Sequence, residues 1–69
     1  MVKVDGRKIR ELRKQKEWTQ EDLGKKAVVT QMMIHGIEVE AKKPSAETLK
    51  RIADALGVLA DDLYKKEPA

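Results

Sequence analysis

At 69 residues, with no cysteine and one histidine, the chain has room for a single domain, residues 1–69, and excludes a disulfide framework, a thiolate metal site and a zinc centre. A net charge of +3 and a pI near 9.3 lean toward a polyanionic partner, but with 39% charged residues much of this is ordinary helix surface. The opening MVKVDGRK has no apolar stretch of signal-peptide length, and no run approaches the roughly 18 apolar residues of a membrane span, so a soluble chain is expected.

In chain order, Asp5 is placed to cap a first helix over residues 6–16, GRKIRELRKQK, in which Ile9 and Leu12 sit three apart among charges. Thr19, followed three residues later by Asp22, forms a near version of a capping box and opens a second helix over 20–27 with Leu23 and Ala27 inward. Trp18 precedes that cap and is expected to staple it to the core. Thr30 caps a third helix over 31–38, TQMMIHGIE, whose core face reads as Thr30, Ile34 and Ile37 with Met33 on its flank. KKPS breaks the chain. Ser45 caps a fourth helix over 46–56, with Leu49, Ile52, Ala53 and Leu56 on one face and Gly57 as its stop. A fifth helix over 60–65 carries Leu63 and Tyr64, and the terminal KEPA is expected to fray. No strand pattern or internal repeat is present.

IRELRKQKEWTQEDL, then Ala27, Val29, Ile34, Ile37 and Glu38, then KKPSAETLKRIADALGV and DDLY follow one another in a characteristic order and spacing. From Ile9 to Tyr64 the chain resembles the phage repressor and Cro-like, Xre-type helix-turn-helix family. The resemblance implies an all-α, compact five-helix bundle of the lambda-repressor-like type. It further implies a cytoplasmic transcriptional regulator that reads operator DNA as a homodimer. In that reading Gln20 holds a phosphate, the third helix enters the major groove, and the DNA contacts are Gln20, Thr30, Gln31, His35, Lys42 and Lys43.

Several residues depart from the family pattern. Of the positions that would read bases, only Gln31 offers paired hydrogen bonds, to adenine; Met32, Gly36 and Val39 offer at best a contact to a thymine methyl. Between Ala27 and Ala41 there is no lysine or arginine, while Glu38 and Glu40 bring two negative charges, an unpromising surface for phosphate. Val28 stands where the family places a glycine of positive φ, so the turn is expected to be altered or strained. Gly24 replaces the usual alanine, Glu40 lies near a usual glycine, and Leu59 replaces a capping serine, threonine or proline.

On a helical wheel, Met32, His35, Gly36 and Val39 form a second stripe opposite Ile34 and Ile37. A helix apolar on two faces is normally buried on two faces. The expectation is therefore a protein-binding module, in which Val28, Gln31, Met32, Met33, His35, Gly36 and Val39 dock another protein through the third helix and the preceding turn, with DNA binding weak or lost and self-association as one form of pairing. Such clustered departures read as deliberate redesign of a DNA-binding scaffold, hence a synthetic chain without a native location. The plainer readings are that Met33 is core, Met32 a stray exposed residue and His35 without a task. With one histidine, no cysteine and no paired carboxylates in a recognisable setting, no enzyme and no cofactor is expected.

Overall fold

The computed structural model describes residues 3–66, in which four α-helices surround one core: α1 Gly6–Gln15, α2 Gln20–Ala27, α3 Gln31–Glu38 and α4 Ala46–Leu56, followed by a single 3-10 turn, Ala60–Leu63. Each α-helix starts where a short polar side chain satisfies a free backbone N–H. Asp5 accepts from Lys8, Thr19 from Asp22, Thr30 from Met33 and Ser45 from Thr48. At Thr19 the box is complete, because Asp22 Oδ2 accepts from the Thr19 N–H at 2.9 Å. That bond, made to backbone, holds the Asp22 carboxyl below its ordinary pKa. α4 stops at Gly57, whose φ of 74° lets its N–H turn back onto the helix carbonyls.

The caps aim the apolar faces at a common centre. Ile9, Leu23, Ala27, Ile34, Ile37, Leu49, Ile52, Ala53, Leu56 and Leu63 are buried, so every α-helix contributes to one core. Trp18 packs against its edge half-buried, with Lys16 and Lys26 ammoniums 5.3 and 4.8 Å from its ring centroid. The two ends of the described chain are tied together: the Asp5 N–H donates to Leu63 O and the Lys65 N–H to Lys3 O, both at 2.7 Å, around an isolated bridge between Val4 and Tyr64.

Three expectations change. The fifth helix is only a 3-10 turn: Leu59 has no side-chain acceptor to offer at its start, and Tyr64 is already extended at φ −93° and ψ 147° to pair with Val4. Thr30 lies exposed rather than on the core face, because its hydroxyl is held at the helix entrance by the Met33 N–H. The fraying expected at the end of KEPA falls on residues 67–69, outside the described residues.

The strained turn is present as expected. Val28 closes α2 in the left-handed region, φ 56° and ψ 49°, with its N–H on Gly24 O. A left-handed conformation costs an L-residue roughly 1–2 kcal/mol, and β-branching adds crowding. The turn is tight because the Val29 N–H also reaches Gly24 O at 2.8 Å, and a Cβ on Gly24 would sit 2.6 Å from Val29 O. Since Val28 is 77% exposed, its side chain recovers little by packing. Val28→Gly is expected to stabilise the domain by about 1 kcal/mol, the strain relieved less the entropy glycine adds to the unfolded chain. A urea midpoint that falls on this substitution would contradict the account.

Candidate nucleic-acid interface

The third helix is locked to the first by one buried ion pair. Arg13 lies four residues after Ile9, on the inward face of α1, and Glu38 lies four after Ile34 on α3. Arg13 Nε donates to Glu38 Oε2 at 2.7 Å and Nη2 to Oε1 at 3.0 Å, a two-point fork, while Nη1 donates to Trp18 O at 2.8 Å. The hydrogen bonds to Glu38 raise the Arg13 pKa above its ordinary value. The side chains are 9% and 2% exposed, so neither charge looks outward. Glu40 stays at the surface but is also paired. At φ 61°, its carboxylate accepts from Lys65 Nζ at 2.6 Å and from the Gly6 N–H at 3.2 Å, and the Lys65 bond holds its pKa below the usual carboxylate value.

These contacts overturn the charge argument made from the sequence. The two carboxylates counted against phosphate are each paired with a cation 25 residues away, Glu38 in the interior and Glu40 at the surface. What faces out of α3 is nearly neutral. Flanking it, Lys25, Lys26, Lys42 and Lys43 are exposed, with Lys25 in an open pair with Glu21 at 3.3 Å.

The outward face of α3 forms one side of a shallow hollow bordered by Gln20, Gln31, Met32, His35, Gly36, Val39, Ala41 and Lys42. Gln31, Met32 and His35 are exposed on it, Met32 by 76%, and Val39 at its end by 57%. Thr30 stands at its entrance with the hydroxyl oxygen occupied by Met33 N–H, leaving the O–H free to donate. Gln20 reaches across from the start of α2: its Nε2 donates to Glu38 Oε1 at 3.2 Å and lies 3.3 Å from His35 Nδ1. Two members of the expected docking stripe are not on the surface. Met33 is half-buried against the core, and Gly36 is buried, covered by the aliphatic stem of Lys42, whose Cδ would lie 2.7 Å from a Cβ at that position. The glycine therefore admits a lysine of the same chain rather than a visiting surface. Continuous apolar cover of α3 on two sides, the observation behind the docking expectation, reduces to Met32 and Val39, with Val28 in the turn.

Residues 9–63 match the family model described as Helix-turn-helix. The chain belongs to the helix-turn-helix family. This helix-turn-helix chain is 37% identical over 66 residues to the uncharacterized HTH-type transcriptional regulator YazB of Bacillus subtilis, covering 96% of both proteins. Its fold superimposes on the P22 c2 repressor, solved in complex with a synthetic operator, with a TM-score of 0.84 at 32% identity, covering 90% of this chain and 94% of that one. SinR, the master regulator for biofilm formation, solved in complex with DNA, aligns at a TM-score of 0.79 and 29% identity over 84% of this chain and 94% of that one. The resemblance read from the sequence is thus correct, at the level of an Xre-type, repressor-like domain.

The reading of the helix-turn-helix as an engineered protein-docking module is overturned. The chain is similar to a transcriptional regulator over nearly its whole length and to the P22 c2 repressor and SinR, each solved with DNA, and the departures that motivated the docking reading are accommodated within the fold. Val28 and Glu40 both stand in the left-handed region, Glu40 with its side chain tied to Gly6 and Lys65, and Gly36 is covered from within. The family is one of transcription regulators rather than enzymes. Among the described residues no helix is long and apolar enough to cross a membrane. Arg13 is the residue that sequence reasoning missed. Its signal was an arginine in the inward register of α1, matched by a glutamate in the inward register of α3.

Proposed function

We propose that the protein is a sequence-specific DNA-binding transcriptional regulator that lays the exposed face of α3 in the major groove of operator DNA and works as a homodimer on two half-sites. The observation that carries this reading is the burial of Glu38 against Arg13 together with the surface pairing of Glu40 with Lys65, which offsets the negative charge beside a face flanked by exposed lysines. Complexes of the similar P22 c2 repressor and SinR with DNA support it.

On that face Gln31 pairs with adenine N6 and N7 through both ends of its amide. Met32, flexible and apolar, packs on thymine methyl groups, and the Thr30 hydroxyl and His35 ring each supply one hydrogen bond. Lys42 and Lys43 meet phosphates, as does Gln20 from the start of α2. One helix of eight residues spans only a few base pairs, so two copies on a two-fold site supply the remaining selectivity.

Titration of a labelled duplex at rising salt tests this. Each neutralised phosphate contributes about −0.9 to the slope of log affinity against log salt, so a copy using two lysines and their neighbours should show a slope of about −2 or steeper. Selection from a randomised duplex should return a two-fold symmetric site. A shallow slope with no selected sequence would sink the proposal.

A further inference from the structure

The Gln20 amide is pulled in two directions. Glu38, already paired with Arg13, presents acceptor oxygens, so the nitrogen of the Gln20 amide has to be the atom facing it. That nitrogen carries two hydrogens. One goes to Glu38 Oε1 at 3.2 Å; the other is directed at His35 Nδ1 at 3.3 Å, which accepts it only when Nδ1 is bare and the ring proton sits on Nε2. In this arrangement both donors of Gln20 are committed within the protein, and its remaining group is a carbonyl oxygen, which a phosphate repels.

We propose that His35 gates the phosphate grip of Gln20, an inference that rests on the DNA-binding reading above. A neutral His35 competes with phosphate for the second Gln20 N–H. When a proton from solvent occupies Nδ1, the ring has no lone pair left to accept, and the freed N–H turns to the phosphate oxygen. The same proton places a positive charge on a helix that has no lysine or arginine of its own. The other charged groups around the ring are Glu38, one turn along α3 and held by Arg13, and Lys42, whose stem crosses Gly36 at the edge of the same hollow. Gln20 from α2 is uncharged. DNA affinity therefore rises on acidification, through a hydrogen bond handed from imidazole to phosphate as well as through charge.

Three chains separate the handover from simple electrostatics, each bound to one short mixed-sequence duplex at constant ionic strength at about pH 5.5 and about pH 8, the range over which histidines in general change charge. The wild type is expected to bind about tenfold tighter at the lower pH, the scale of one charge-assisted hydrogen bond. On this mixed-sequence duplex, where the base contact of His35 has no fixed partner to lose, His35→Ala removes the competing acceptor and should be pH-independent and tighter than the wild type at the higher pH. His35→Gln, whose amide oxygen still accepts from Gln20 but does not titrate, should stay at the wild type's weaker level throughout. If His35→Ala is no tighter than the wild type at high pH, or keeps the pH dependence, the gate is wrong. His35 is the single histidine, so ring nitrogen-15 shifts report it alone: a bare Nδ1 at high pH is expected, and a neutral ring protonated on Nδ1 overturns the proposal. Tight but pH-flat wild-type binding removes the gate and leaves the DNA-binding reading standing; no duplex binding by any of the three at low salt removes both.

Discussion

Glu38→Ala is expected to lower the stability of the domain by about 3–5 kcal/mol, the usual cost of stripping one partner from a buried ion pair. Arg13 is left with a charge it cannot lose and a 7% exposed position from which it cannot easily reach water. A domain of this size has only about 3–5 kcal/mol of net stability from its core, so the variant should be largely unfolded at room temperature, as read from helical circular dichroism and a urea titration. The loss comes from the orphaned charge more than from the attraction given up. Replacing both partners with apolar residues, Arg13→Met with Glu38→Leu, should therefore recover most of it, since well-packed apolar pairs often substitute for buried ions without penalty. A Glu38→Ala variant within about 1 kcal/mol of the wild type would mean that the Arg13 fork does not hold the helices together.

The second large effect is on DNA recognition. Gln31→Ala should weaken binding to the selected site by roughly ten- to a hundredfold, or about 1–3 kcal/mol, and should erase the preference for adenine at one position of each half-site. Lys42→Gln should behave differently, weakening all duplexes alike and making the salt slope shallower by about 0.9, because it removes a phosphate contact and no base contact. Competition between the selected duplex and single-base variants separates the two patterns. Equal losses on every sequence for Gln31→Ala would show that α3 does not read bases through this residue.

Much of the fold was legible in short windows. Asp5, Thr19, Thr30 and Ser45 each accept from the N–H three residues ahead, and Gly57 ends α4, because capping is decided by the nearest turn of backbone. The inward faces of α2, α3 and α4 follow the helical repeat for the same reason. The fifth helix was over-read: DDLY has helical spacing, but a missing cap at Leu59 and the pairing of Tyr64 with Val4, sixty residues earlier, decide the outcome.

The site was less legible than the fold. Exposed Met32 and Val39 looked like half of an apolar interface because Gly36 and Met33 were counted with them, and only the packed structure shows Lys42 lying over one and the core taking the other. By itself the sequence determined the four α-helices, their caps, most of the core and the family. The tertiary structure alone decided which way charge points. Capping and amphipathic spacing act over three or four residues, whereas Glu38 and Glu40 are paired with Arg13 and Lys65, each 25 positions away, so the sign of the surface proposed to meet DNA exists only once the chain has folded.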